Sequence, residues 1–525
     1  VSRGQTTSAD AYLTPKINEY LNKFKHGFDS DFDTNVKVTF MQSDGGLCDM
    51  NSFNGYRAVL SGPAGGVVGY GLTTYPIYNK GIIGFDMGGT STDVSRYDGE
   101  YDITHDNLTA GIQLQAPQLD ISTVAAGGGS ILKFEGNMMH VGPESSKAYP
   151  GPTCYKNDGP ISVTDANLIL GRILPQHFPK IFGPKKNEAL SKELSIKGMN
   201  VIRDQINKYN NDTKFAALRN SFKVNTKIDY CIKDDNVWVR AIITKIVDDN
   251  KILVSYKYND KQFKDVQVDR NSKDIRYVSL SVYEVAMGFI EVANESMCRP
   301  IRNITMGRGF DTSKHILATF GGAGGQHACA IARSLGITKV FIHKYSGILS
   351  AYGMGLADVN EEQQMTTAYE FSSTTMKEII ANINDIKGKC VDKLIKDGYE
   401  PKSIITKPYL NLRFKGSNVG IFVPGEPLTD DCKADNEVLY KSYKEEFVKR
   451  YKREYGFVLE RDIIVDTVRC VSIAKGAHVK QYKIAKRNGT EELKEIETTK
   501  AYFDVKGEVK CLETKVYDFN QLKFG

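Results

Sequence analysis

At 525 residues the chain is long enough for about three to five domains of roughly 100–200 residues each. Hydrophobic residues at 41% and charged residues at 25% are ordinary for a folded protein and exclude a disordered or collagen-like chain. A net charge of +6, from 69 basic against 63 acidic residues, is too dilute for a nucleic-acid-binding field, and no apolar run reaches the roughly 18 residues of a membrane helix.

Residues 1–180 are dense in glycine, and the apolar runs Val36–Met41 and Gly81–Phe85 end in loops of Gly, Ser or Thr, the pattern of α/β sheets carrying ligand loops. Helical spacing follows over Ser191–Arg219. Between Phe222 and Tyr277 the pattern changes to short alternating strands, Val237–Ile246, Ile252–Tyr258 and Asp265–Val268, separated by Asp/Asn turns; this reads as a small all-β insertion. Val278–Ile301 returns to helical spacing. Ile316–Phe320 predicts a strand running into the richest glycine loop of the chain, and Ile337–Phe341 predicts another strand. A helix is expected over Thr375–Asp397, alternating strands over Tyr409–Val423, and a charged amphipathic helix over Asn436–Tyr455. From Lys475 onward the chain is polar, with two late strands.

The nine cysteines are odd in number, scattered and free of any CxxC pair, which argues against a disulfide framework or a thiolate zinc site and for a reducing compartment. The start, Val1-Ser2-Arg3-Gly4, has no initiator Met and no leader pattern. The chain therefore reads as an excerpt of a longer, cytosolic polypeptide with no membrane segment.

Two loops have the composition for phosphate chemistry. Ile82 to Asp93 is an apolar strand that delivers Asp86 into the turn Gly88-Gly89-Thr90-Ser91-Thr92, where glycines let backbone N–H groups approach an anion and the hydroxyls add donors. Asp86 and Asp93, seven residues apart, can hold Mg²⁺ through water. The plainer reading is a glycine hairpin with Asp and Thr as turn formers. The second loop, Gly321-Gly322-Ala323-Gly324-Gly325-Gln326-His327, lies between a strand and an apolar helical stretch, the arrangement that seats a nucleotide at a helix N-terminus. His327 is a candidate proton carrier or a structural donor. Three more stretches share this grammar: Ser61 to Gly66, Ala125 to Ser130 (Gly127, Gly128, Gly129, Ser130), and Pro150 to Tyr155 with Thr164-Asp165-Ala166-Asn167.

In this order the motifs resemble the hydantoinase A/5-oxoprolinase family, and within it the eukaryotic branch. The resemblance is carried by Met41-Gln42-Ser43-Asp44-Gly45-Gly46, Arg57 to Gly69, Ile83 to Arg96, Leu114 to Ser130, Val141 to Tyr155, Val163 to Leu174 with Phe182-Gly183-Pro184, Val285 to Ile301, Phe320 to Arg333 and His343 to Asp358. It implies an α/β, actin-like ATPase fold, an ATP and Mg²⁺ requirement with a monovalent cation such as K⁺, and ATP-coupled opening of 5-oxoproline to glutamate through a phosphorylated amide. It further implies a small lactam substrate, a hydantoinase B-like half and a homo-oligomer. Carried onto this chain, Asp86 positions metal and water, Asp93 and His327 join it as catalytic candidates, Thr90 and Thr92 contact phosphate, Gly127 to Ser130 form a second ligand loop, and Gly321 to His327 form the adenosine-side loop. Ser145-Ser146-Lys147-Ala148-Tyr149 departs from the family pattern, placing a lysine where glycine is expected. An upstream Asp-Gly-Gly-Thr loop and a B half are absent from these residues. The rivals are opening of another cyclic amide such as a hydantoin, and a non-catalytic nucleotide-binding scaffold.

Residues 222–277 lie outside the family pattern and resemble a Tudor or chromo-barrel module of the SH3-like class, with Trp238, Tyr256, Tyr258 and Phe263 as candidate walls of a methyl-lysine cage or, more plainly, as barrel core. The expected organisation is a hydantoinase A-like core over 1–221 and 278–365, the β-barrel insertion over 222–277, and a C-terminal α+β segment over 366–525.

Overall fold

A computed structural model describes residues 2–29, 36–109, 111–432, 435–476 and 493–522. The chain divides into two compact units. The first comprises Val1–Met87, Asp93–Thr123 and Cys298–Ile484, and the second comprises Gly88–Thr92, Val124–Met297 and Ala485–Gly525. No helix among the described residues is long and apolar enough to cross a membrane. All nine cysteines are free thiols.

The first unit holds two sheets. In the five-stranded one the order is Val340–Ile342, Ile316–Phe320, Ile82–Met87, Thr92–Tyr97, Ile121–Val124. Ile316–Phe320 runs parallel to both Val340–Ile342 and Ile82–Met87, and its Phe320 lies opposite Asp86. Ile82, Ile83, Phe85 and every residue of Ile316–Phe320 are buried, which is why these strands read as continuous apolar runs rather than alternating ones. Helix Ser61–Tyr78 packs beside them, with Ala64, Val67, Val68 and Tyr70 in the same core. The Ser61 to Gly66 stretch, expected to be a ligand loop, is the start of this helix. Its glycines serve packing: a Cβ at Gly65 would strike the Ser350 carbonyl and one at Gly353 would strike the Gly65 carbonyl, so only bare backbones let this helix meet helix Leu349–Met354.

The six-stranded sheet has the order Thr39–Met41, Leu47–Asp49, Val359–Glu370, Ile463–Ala474, Ile404–Phe414, Ile421–Pro424. Strict alternation along Ile404–Phe414 sends Leu410, Leu412 and Phe414 into a core with helices Met376–Lys396 and Asn436–Tyr455, and turns Lys407 and Tyr409 to the opposite face. The helix N-cap at Asp435 accepts hydrogen bonds from the Glu437 and Val438 N–H groups, and Gly456 in the left-handed region ends that helix.

In the second unit, hairpin Ser130–Glu135/Met138–Ser145 is followed by helices Val163–Ile169 and Lys192–Tyr209. The Pro150 to Tyr155 stretch, expected as a ligand loop, is instead folded around the fully buried Asp165. That carboxylate accepts from the N–H groups of Cys154 (2.8 Å), Ser162 (2.9 Å) and Thr153 (3.2 Å) and from the Ser195 (2.7 Å) and Ser162 (3.0 Å) hydroxyls, so its charge is compensated by five donors. Residues Lys227 to Arg276 form a five-stranded antiparallel sheet with its own core of Ile228, Ile243, Ile252, Val254, Val268 and Ile275. Its aromatics are engaged within the module. The Arg276 guanidinium lies 4.0 Å from the Trp238 ring centroid, and Tyr256 stacks on Phe263 at 4.9 Å and 13°. The chain's late strands, Glu495–Val505 and Glu508–Tyr517, pair in this unit, where Tyr502 stacks on Tyr283 at 3.8 Å and donates its N–H to the Leu170 carbonyl.

Candidate functional site

In the first unit the parallel pairing brings the end of Ile82–Met87 beside the end of Ile316–Phe320, so Asp86 and the Gly321 to His327 loop meet there. Ala323 N–H donates to the Met87 carbonyl at 3.0 Å and Gly321 N–H to the Ser346 carbonyl at 3.0 Å. Gly321 has φ +81°, and a Cβ there would meet both an Asp86 carboxylate oxygen and the Met87 carbonyl, so only glycine satisfies the turn and the close approach together. Gly322 and Gly325 face open space, whereas Gly324 is packed against Thr319 Oγ1. Burial, and then the charge of Asp93, push the Asp86 carboxyl up to about 6, against a hydrogen bond from Ser350 that favours the ion. Asp93 is also raised by burial, opposed by the Thr123 hydroxyl, which donates to it at 2.5 Å. His327 is fully buried at the start of helix Ala328–Ser334.

In the second unit the two remaining glycine stretches are laced together by backbone. Gly88 N–H closes a turn on the Ser91 carbonyl (3.1 Å), Gly128 N–H donates to Gly88 O (3.0 Å) and Gly129 N–H to Gly89 O (2.6 Å). A Cβ at Gly127 would sit 2.8 Å from the Gly89 carbonyl carbon and the Ser91 nitrogen. Ser130, also fully buried, accepts from Gly127 N–H through its hydroxyl, and Thr164 clamps Gly128 O with both its N–H (2.7 Å) and its hydroxyl (2.8 Å). Thr92, expected to contact phosphate, is committed elsewhere: it is fully buried and its hydroxyl donates to the Ala126 carbonyl at 2.6 Å. Gly89 and Thr90 are exposed at the tip, and the Thr90 hydroxyl has no partner among the described residues. Lys147 has φ +57° and is exposed, so the lysine occupies a left-handed position suited to glycine without filling the loops.

Thus Asp86, Asp93, Gly321, Gly322, Gly324 and Gly325 gather in the first unit, and Gly88 to Thr92 with Gly127 to Ser130 gather in the second. Sequence reasoning missed Ser350 and Thr123. Each is a lone hydroxyl whose role depends on a partner at least 30 residues away in the chain, so no local spacing announces it. No group of three His, Cys, Asp or Glu residues able to hold a metal occurs among the described residues.

Parallel strands ending in a carboxylate and glycine turns in the first unit, and interlocked glycine loops in the second, define an α/β protein. The caprolactamase of Pseudomonas jessenii, described as ATP-dependent, shares this fold: TM-score 0.73 at 21% identity, covering 99% of this chain and 65% of that one. The 5-oxoprolinase of Dictyostelium discoideum is 41% identical over 98% of this chain and 36% of its own length; 5-oxoprolinase 1 of Arabidopsis thaliana is 43% identical over 89% and 32%. The hydantoinase/oxoprolinase family profile matches residues 3–363, and the chain belongs to that family. It spans about a third of the length of these curated relatives.

Proposed function

We propose that this chain is the ATP-handling A-half portion of an ATP-dependent 5-oxoprolinase. The carrying observation is identity of about 40% to proteins named 5-oxoprolinase along nearly the whole chain, a stretch that includes every loop described above. A lactam carbonyl is a poor electrophile. Transfer of the ATP γ-phosphoryl to the amide oxygen of 5-oxo-L-proline releases ADP and activates the ring carbon; one water adds there, the C–N bond breaks with a proton to the leaving nitrogen to give γ-glutamyl phosphate, and a second water displaces phosphate to leave L-glutamate. Catalysis of this kind is mostly positioning and charge stabilisation.

In this reading the exposed Gly89–Thr90 tip offers backbone N–H groups and a free hydroxyl to phosphate oxygens. The Gly127 to Ser130 loop holds that tip in shape, and Gly321 to Gly325 give close approach on the nucleotide side. The Asp86 and Asp93 carboxylates suit Mg²⁺ held through water, because both are raised by burial and Asp86 also by the charge of Asp93, a cost that a cation relieves. Bound there, the ion would neutralise phosphate charge. Full burial suits His327 to the structural donor of its two roles. The 222–277 module is an insertion that adds a binding or assembly surface, and the rest of the relatives' length supplies the B-like half.

The test is phosphate and glutamate release by the full-length polypeptide with 5-oxo-L-proline and MgATP. Equal release of both is expected. Release only with another cyclic amide would move the substrate assignment, and no lactam-dependent release at all would end the enzyme reading.

A further inference from the structure

The Asp44-Gly45 turn, which the function above leaves without a role, borders a partly open cavity of about 260 Å³ lying wholly within the first unit. This is room for several waters or a small organic molecule. It lies away from Asp86. After Ile82–Met87 the chain turns back into Thr92–Tyr97, whose far end, Tyr97, lines the cavity, so five residues of strand, roughly 15–20 Å, separate the two.

Its floor is the face of the six-stranded sheet opposite the helices. Register places Tyr409 across from Arg469 and Lys407 across from Val471, and all four line the cavity. A cavity floored by charged side chains on a sheet is unusual, because burying them is costly unless something satisfies them.

The existing partners leave a surplus of donors. Arg469 is 2% exposed; it pairs with Glu362 and donates Nη1–H to His105 Nε2 at 3.1 Å, yet its Nε–H is buried with no partner. Because Nε2 accepts, the neutral His105 ring carries its proton on Nδ1, and burial beside Arg469 keeps the ring neutral by pushing its pKa down to about 3. Among the described residues the Lys407 ammonium and the Tyr101 and Tyr409 hydroxyls make no hydrogen bond or ion pair. The acids, by contrast, are engaged. Glu362 holds Arg469, Glu100 faces Arg450 at 3.6 Å, Asp358 accepts from Gly476 N–H, and Asp44 accepts from Gly46 N–H, with burial favouring its protonated form.

We propose that this cavity is a binding site for a small organic carboxylate, held by the Lys407 ammonium, with the Tyr101 and Tyr409 hydroxyls as further donors and the buried Arg469 guanidinium adding positive charge beneath the floor. A carboxylate has two oxygens able to take four hydrogen bonds, which is what the unpaired donors supply. The inference stands on the cavity and does not depend on the lactam reaction.

The test is calorimetric titration of the full-length protein, without nucleotide, with acetate, succinate, glutarate, L-glutamate and 5-oxo-L-proline at millimolar concentrations, and with succinamide as the uncharged control. At least one carboxylate binds and succinamide does not. Lys407→Met weakens that binding at least tenfold and Lys407→Arg restores most of it, while both variants keep the parent's unfolding profile, since Lys407 makes no bond that the fold uses. Failure of every carboxylate to bind, equal binding of succinamide, or affinity unchanged in Lys407→Met would each overturn the proposal. Loss of the 5-oxoprolinase reading alone would leave these titrations untouched.

Discussion

Replacing Asp86 by asparagine should stabilise the fold while abolishing ATP-coupled turnover. The Asp86 carboxyl titrates at about 6 in the folded chain against 3.8 for an unperturbed aspartate, a difference of about two units. At 1.36 kcal/mol per unit this is about 3 kcal/mol of penalty for carrying the ion at neutral pH. The sign follows from proton binding. Below about 4 both folded and unfolded states are protonated and no penalty exists; between 4 and 6 the unfolded state ionises first, so stability falls as pH rises; above 6 the penalty is constant. Asparagine has the same shape as the neutral acid and never pays it. Local relaxation trims the gain, so the variant should be roughly 1–3 kcal/mol more stable at pH 8 and within about 1 kcal/mol of the parent at pH 4.5. Urea unfolding of parent and variant at pH 4.5, 6 and 8 measures this, and turnover assays on the full-length protein should show a loss of several orders of magnitude. A variant no more stable than the parent at pH 8, or a gap independent of pH, would refute the electrostatic account of this site.

In the second unit, Gly127→Val should abolish nucleotide binding by calorimetry, because its side chain must displace the Gly89–Ser91 backbone that lies 2.8 Å from a Cβ; unchanged affinity would reduce these loops to turns. Lys147→Gly should stabilise the protein by roughly 0.5–1 kcal/mol in urea unfolding, since φ +57° strains a lysine, and a loss of stability would mean that the exposed side chain makes a contact of value. Deleting 222–277 and joining Arg219 to Val278 through a short Gly/Ser linker should leave 5-oxoproline-dependent phosphate release within about twofold, because the two ends already lie together and closing a short loop costs little. The Asn207 amide bridges to Leu280 through bonds of 2.8 and 3.0 Å, and Tyr277 N–H donates to Asn211. Phe215 should be changed to serine in the same variant, as it is otherwise buried against the deleted core. Collapse of activity would show the module to be part of the catalytic fold.

What the sequence could disclose divides along physical lines. Elements set by local periodicity were legible: the helix over Asn436–Tyr455 and the strands Val237–Ile246 and Ile316–Phe320 fall where spacing put them. Helix Ser2–Lys25 was not legible, because its polar sequence has almost no amphipathic stripe. Glycine stretches were ambiguous for a stated reason. A bare backbone serves equally to admit an anion, as the Gly89 tip can, or a second helix, as Gly65 and Gly353 do, and only the partner found in space tells them apart. The same holds for Asp165, whose five donors make it a fold organiser, against Asp86, whose burial and acidic neighbour disfavour its ion. The carboxylate cavity lies at the far end of this scale. Lys407 and Tyr409 occupy the half-buried alternate positions of a strand, and Arg469 lies in a strand that also carries Asp466, Thr467 and Ser472, so none stands out by local pattern. Their unusual character arises only when strands distant in sequence and the Asp44 turn border the same face, which gathers the unpaired Lys407 ammonium and the tyrosine hydroxyls around one cavity.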